Sequence, residues 1–274
     1  MTIFIVGLGL IGASYADKLS LKGYTVYGYD LDTQILDTAI KARIIAPDSN
    51  LEKIQDADLI ITALYPKATI AFLKAHFHLF NDSQTITDVC GIKEALLQEI
   101  DTFYPESLRY LTHHPMAGKE TPGIAFKDPN MFQGANVIVC ESRHTKPGDQ
   151  KRMHTLIEAL GFGNVAHLTP REHDQFVAYT SQLTHALAAA LINSNPTKAT
   201  RVATGDSFKD LTRIANINAP LWVELFKGNK KALLNTINGF EDALSTIKNA
   251  IENDNDAALE KTLLEAKKGR VSYE

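Results

Sequence analysis

The chain has 274 residues, 45% hydrophobic and 22% charged, the balance of a soluble globular protein with room for about two domains of roughly 150 residues. Lys and Arg number 28 against 32 Asp and Glu, a formal net charge of -4, which argues against nucleic acid as a partner because phosphate binding needs a basic excess. No run reaches the roughly 18 apolar residues of a membrane span, no basic lead-in opens the chain, and Cys90 and Cys140 make no zinc ribbon, so a cytoplasmic protein without metal or membrane partner is expected.

Short β-branched runs alternate with amphipathic stretches as far as residue 167. They predict strands at Thr2–Val6, Thr25–Tyr29, Asp58–Ala63, Gln84–Val89, Arg109–Thr112 and Asn136–Val139. This alternation predicts a parallel sheet with crossover helices, a doubly wound Rossmann-type α/β domain. From Thr169 onward Ala, Leu and Lys recur at helical spacing with almost no strand signal, which predicts an all-α C-terminal domain. The expected domains are therefore 1–167 and 168–274. Thr169 and Pro170 form an N-cap and first-turn pair for a long helix reaching about Asn193, and its segment AYTSQLTHALAAALI is apolar or small nearly all round, which predicts burial on every side. After the break at Asn195-Pro196, APLWVELFKGNKKALLNTINGFEDALSTIKNAI predicts two more helices and AALEKTLLEAKKGR a last one. So small and apolar a helical domain is expected to complete its core against a second copy, as a homodimer.

Gly7-Leu8-Gly9-Leu10-Ile11-Gly12 follows the first strand directly and opens a helix. Gly7 suits the tight turn, Gly9 the approach of a pyrophosphate, Gly12 the packing of helix on strand, and the helix N-terminus with Leu10 and Ile11 the phosphate charge. Asp30 ends the second strand about 20 residues on, where a carboxylate accepts the ribose hydroxyls and repels a 2′-phosphate, so NAD is the expected cofactor. Leu64 and Tyr65, after the third predicted strand, fall where the sheet edge lines the crevice, although Tyr65 suits packing equally well.

Thr112-His113-His114-Pro115-Met116-Ala117-Gly118-Lys119-Glu120 is expected to leave the sheet as a loop at its carboxyl edge, where catalytic groups belong. One of the two histidines is a candidate base for oxidising an alcohol by hydride transfer; on spacing alone, a histidine hydrogen-bonded inside a loop is the better reading of either. Arg213 alone reads as a surface ion pair, His185 as a buried histidine bonded to a carbonyl, and Lys119 as a solvated or substrate-facing cation.

The chain resembles the prephenate and arogenate dehydrogenases of tyrosine biosynthesis. The resemblance rests on the glycine fingerprint, Thr87-Asp88-Val89-Cys90-Gly91-Ile92-Lys93, His114 to Glu120 with Gly123, Glu172-His173-Asp174, Ser181-Gln182-Leu183-Thr184-His185, and Phe208 to Ala215. It implies oxidative decarboxylation of a cyclohexadienol such as prephenate, or arogenate as the alternative. It also implies His114 as the base, Arg213 holding a substrate carboxylate, His185 and Lys119 at the substrate, and Asp88 and Gly91 among the cofactor-binding residues. His173 reads as structural. Gly91 stands where many relatives carry a serine, and Gln182 and Thr184 replace a more usual His and Pro. A β-hydroxyacid-type dehydrogenase and a non-catalytic NAD sensor are the competing readings.

Overall fold

Strand β1 (Thr2–Val6) sends Ile3 and Ile5 to one side of the sheet and Phe4 and Val6 to the other, and all four are buried. A strand covered on both faces belongs in a doubly wound sheet. The computed structural model describes residues 1–119, 121–195 and 197–273. After β1 come α1 (Leu10–Leu21), β2 (Thr25–Tyr29), α2 (Thr33–Lys41), β3 (Leu59–Thr62), α3 (Pro66–His76), β4 (Thr85–Asp88), α4 (Glu94–Ile100), β5 (Arg109–Pro115), β6 (Asn136–Glu141), α5 (Asp149–Leu160) and β7 (Asn164–His167). The helical part comprises α6 (Pro170–Val177), α7 (Thr184–Asn193), α8 (Asp206–Thr212), α9 (Ala219–Gly228), α10 (Lys230–Glu252) and α11 (Asp256–Val271).

The sheet order is β2-β1-β3-β4-β5-β6-β7. Pairing is parallel from β2 to β5, with Ile5 opposite Gly28 and Ile61. The expected parallel sheet holds over most of its strands and gives way at the far edge, where β6 runs antiparallel to β5 and β7 pairs parallel to β6. Among the described residues, the β5–β6 connection holds only the short turn Ile124–Phe126 and no crossover helix, so the chain returns in the opposite direction. Strand β7 has no predicted counterpart, because all four of its residues are exposed and Asn164-Val165-Ala166-His167 carries no buried face to signal it. Helices α1 and α5 cover one core, with Tyr15, Leu19, Met153 and Leu156; α3 and α4 cover the other, with Phe72, Leu73, Leu96 and Ile100.

The helix expected from Thr169 to Asn193 forms as α6 and α7 joined by a π-helical stretch, Ala178–Leu183. Thr169 caps it with Glu172 in a reciprocal capping box. Burial on every side does not hold. Val177, Ala178, Leu183 and Ala188 are buried, Val177 against Ile138 and Cys140 of β6, but Phe176, Tyr179, Leu191 and Ile192 are 40–58% exposed. One stripe covers the strand, and the other faces solvent in the single chain.

Compactness divides the chain after Asn229, so α6 to α9 share a unit with the sheet. Asn229 itself helps tie that unit together, donating to the Asp174 carbonyl (2.7 Å) and to Gln182 Oε1 (2.9 Å). The second unit, from Lys230 onward, is the α10–α11 hairpin. It turns at Asp254 (φ +48°), and the Asn255 side chain caps α11 by accepting from the Ala258 N–H (3.0 Å). Among the described residues no helix is long and apolar enough to cross a membrane.

Candidate active site

The strand order reverses at β1, with β2 on one side and β3 on the other, and this opens a crevice beyond the carboxyl ends of β1 and β3. Gly7 turns there at φ +88°, where a side chain is strained, and a Cβ on Gly12 would collide with the Gly7 carbonyl. Gly9 differs: a Cβ there would meet nothing within 4 Å, because Gly9 faces a cavity of about 1030 Å³. Helix α1 starts at that wall with no side-chain cap, so its first N–H groups are available to an anion. Leu10, Ile11, Leu64, Tyr65 and Gly91 line the same cavity. Asp30 is fixed at the end of β2, with Oδ2 accepting from the Leu8 N–H (2.8 Å) and Oδ1 from the Asp32 N–H (3.0 Å). Its remaining lone pairs suit ribose hydroxyls, and the whole set fits a nicotinamide dinucleotide. Asp30→Ala is expected to weaken NAD by roughly 10–100-fold, the worth of hydrogen bonds to a charged group, and to relax discrimination against NADP. Fluorescence titration with both nucleotides checks this; an unmoved preference would remove Asp30 from the role.

Asp88 is corrected. Its carboxylate is fully buried and engaged by Lys93 Nζ (2.8 Å), the Tyr110 hydroxyl (2.8 Å) and the Cys90 N–H (2.8 Å), so it does not reach the cavity. Lys93 is equally buried and gives its other two protons to Thr112 Oγ1 (2.5 Å) and the His113 carbonyl (2.8 Å). Burial alone would raise the Asp88 carboxyl, but the Lys93 charge and hydrogen bond outweigh it and hold the group below the usual carboxylate range. The pair ties β4 and α4 to the strand that carries the histidines.

That strand is longer than its sequence suggests. β5 continues through Pro115, so His113 and His114 lie on the strand and, by its period of two, point to opposite faces. His113 is fully buried between Tyr15 OH (Nε2, 3.1 Å) and Thr87 Oγ1 (Nδ1, 2.8 Å), and burial, reinforced by Lys93, takes its pKa down to about 3. It is a neutral structural link from α1 to the sheet. His114 faces the cavity. Its Nδ1 lies 2.8 Å from His173 Nε2, and His173 Nδ1 lies 2.7 Å from Asp174 Oδ1. Burial and the neighbouring His173, Lys93 and His113 hold His114 well below the ordinary imidazole range, so it waits unprotonated at neutral pH. Gly91 leaves the other nitrogen open: a Cβ there would sit 3.5 Å from His114 Nε2 and 3.3 Å from Leu225 Cδ2. The Cys90 thiol does not take the place of the serine, since it is buried against Thr69 Oγ1 (3.5 Å) and the Leu64 carbonyl (3.6 Å).

Arg213 lines the same cavity from a short turn after α8 that packs on α7. His185, on α7, also lines it; its Nδ1–H donates to the Ser181 carbonyl (2.9 Å), and its ring stacks on Trp222 of α9 at 3.7 Å between centroids. Lys119 stands at the rim, paired with Asp128 (3.0 Å). Helix α9 is held over the crevice at two points: Asn218 Nδ2 donates to the Tyr65 hydroxyl (2.6 Å), and Glu224 accepts from the Lys67 N–H at the start of α3 (3.0 Å). Sequence reasoning missed His173 and Trp222. The single tryptophan, four residues past the Asn218 cap, was the available signal for the second.

A dinucleotide cradle and a histidine open to the same cavity define a nicotinamide-dependent oxidoreductase. Residues 15–165 match the nucleotide-binding domain of prephenate dehydrogenase and residues 169–265 its dimerization domain. The chain belongs to the prephenate dehydrogenase family. The match begins beyond Gly12, so the glycine loop stands on its own geometry. The prephenate dehydrogenase of Lactococcus lactis is 29% identical over 286 residues, covering 99% of this chain and 77% of that protein. That of Bacillus subtilis is 26% identical over 264 residues, covering 92% and 71%. A crystal structure of prephenate dehydrogenase from A. aeolicus in complex with hydroxyphenyl propionate and NAD+ superposes with a TM-score of 0.90 at 27% identity, over 100% of this chain and 99% of that one.

Proposed function

We propose that the chain catalyses the NAD-dependent oxidative decarboxylation of prephenate to 4-hydroxyphenylpyruvate, with His114 as the base and Arg213 as the carboxylate anchor. The observation that carries this is His114, with Nδ1 held by His173 and Nε2 left open in the cavity that Gly9 also lines. The glycine loop, the start of α1 and Asp30 would hold NAD, which would supply the acceptor for the ring hydride. His114 Nε2 takes the proton of the ring hydroxyl as it becomes a carbonyl, and as the ring carboxylate leaves as carbon dioxide the ring oxygen takes that proton back, which leaves an aromatic phenol and drives the reaction forward. The Arg213 guanidinium presents a planar fork to a substrate carboxylate. The His185–Trp222 stack supplies a flat wall for a six-membered ring.

Prephenate and arogenate both carry two carboxylates, but arogenate bears an ammonium where prephenate has a keto group, so prephenate suits a cationic cavity better. Among the described residues the Asp, Glu, Lys and Arg side chains that line the cavity are Lys119 and Arg213, both cationic. Steady-state assays of prephenate and arogenate, each with NAD and NADP, test the whole reading. Prephenate with NAD is expected to give NADH and 4-hydroxyphenylpyruvate with the highest kcat/KM. Protein that binds NAD but turns over neither substrate would instead be a sensor. Arg213→Ala is expected to raise the KM for prephenate roughly 10–100-fold with a smaller effect on kcat; an unchanged KM would assign the anchor to another cation.

The working division between the cofactor and the helical substrate domain stays at 167/168, supported by the family matches ending at 165 and resuming at 169. We also propose a homodimer through the helical part. Its support is the family description of residues 169–265 and the exposed Leu191 and Ile192 on α7 and Leu263 and Leu264 on α11.

A further inference from the structure

The polarity of the hydrogen-bond chain behind His114 can be worked out from its far end. Asp174 Oδ1 accepts from the Lys93 N–H (2.8 Å) and Oδ2 from the Glu94 N–H (2.9 Å), at the start of α4. Both carboxylate oxygens are thus engaged as acceptors. His173 Nδ1, 2.7 Å from that carboxylate, therefore carries a proton, and in the neutral ring Nε2 is left as an acceptor. The His114 Nδ1 that faces it at 2.8 Å must then be the donor, which places the His114 lone pair on Nε2, the nitrogen open to the cavity.

Resting on the reading of His114 as base, we propose that His173 and Asp174 form a proton relay that carries the charge of each turnover away from the reacting ring. The substrate O–H bond breaks as His114 Nε2–H forms. The His114 Nδ1–H bond breaks as His173 Nε2–H forms. His114 ends neutral with its proton on Nε2, and His173 ends doubly protonated beside the Asp174 carboxylate, with no other reactant consumed. As the ring carboxylate leaves as carbon dioxide, its electron pair closes the aromatic ring and the ring oxygen takes the proton back from His114 Nε2, while His173 returns its own to Nδ1, so no proton is released to solvent.

The surroundings favour this destination. A charge on His114 is opposed by burial and by His173, Lys93 and His113, with no carboxylate in hydrogen-bond contact to offset them. On His173, burial also lowers the pKa, but the bond to Asp174 works against it. The titratable and charged groups that act on the pair are His113 on β5, Asp88 on β4, Lys93 at the start of α4 and Asp174 on α6, and Cys140 lies on β6 opposite Thr112. His113, near 3, stays neutral at working pH, as does Cys140, whose thiol is pushed up to about 12; Lys93 and Asp88 neutralise each other.

Nitrogen-15 NMR of the histidine-labelled protein without substrate tests the tautomers directly: Nδ1 protonated and Nε2 bare on His114, and Nδ1 protonated on His173. The kinetic test is His173→Gln, whose side-chain oxygen still accepts from His114 but cannot take its proton. Turnover of prephenate is expected to fall roughly 10–100-fold, the cost typical of losing a partner that orients an active histidine, with KM and NAD affinity unchanged. The acidic limb of the kcat/KM profile is expected to move to lower pH, and the solvent-isotope proton inventory to change from curved to linear. A merely structural contact would leave the limb and the inventory as in the wild type. A bare Nδ1 on His114, or wild-type kinetics in His173→Gln, would overturn the relay alone; absence of prephenate turnover in the wild-type protein would overturn the reaction itself.

Discussion

Replacing His114 with Asn is expected to lower kcat roughly 10²–10⁴-fold, the range for a lost general base, while NAD affinity and the folded state stay intact. Asparagine keeps an N–H near the position of Nδ1 and so preserves the bond to His173, now 2.8 Å long. What it lacks is the lone pair at Nε2 beside Gly91. The glycine loop and Asp30 are elsewhere on the crevice wall and are untouched. Steady-state kinetics and NAD titration on the same preparation separate the two effects. Near-normal turnover would remove His114 from the proton transfer.

The second large effect is on stability. Lys93→Met leaves the fully buried Asp88 carboxylate without its counter-charge, and breaking a buried pair in this way costs about 3–5 kcal/mol. For a compact unit of this size that is a fall in Tm of roughly 6–20 °C. Adding Asp88→Asn to Lys93→Met removes the orphaned charge and is expected to recover much of the loss. The same pair sets an acid limit. Because the folded Asp88 is held below the ordinary carboxylate pKa of about 3.9, its stabilisation is present above that value and is lost as pH falls through the folded pKa. The melting temperature of the wild-type protein is therefore expected to drop below about pH 4, less so in Asp88→Asn. Scanning calorimetry across pH checks both; Lys93→Met melting with the wild type would show that the pair carries no such load.

The elements that sequence revealed are those whose signal is local. The β-branched run Thr2 to Val6 and the glycines spaced from Gly7 to Gly12 depend only on neighbours, and both formed as expected. Asp88 entered the cofactor set through the family motif Thr87 to Lys93. Its actual direction is set by Lys93 and Tyr110, and Tyr110 is 22 residues away in the chain. His173 looked like an ordinary first-turn residue beside a capping box, since its partner is 59 residues earlier on another strand. The π-helical stretch lies inside a continuous helical pattern with no Gly or Pro to mark it, and β7 has no buried face to alternate. The change of composition at Thr169 marks where strands give way to helices, whereas compactness follows tertiary contacts and divides the chain only after Asn229.

A crystal structure with NAD and 4-hydroxyphenylpyruvate is the most direct measurement of the proton transfer on which the proposed reaction rests. The product's ring oxygen is expected about 2.6–3.2 Å from His114 Nε2, hydrogen-bond reach for a base that has taken and returned its proton. A ring oxygen beyond that reach and nearer to another titratable side chain would contradict it.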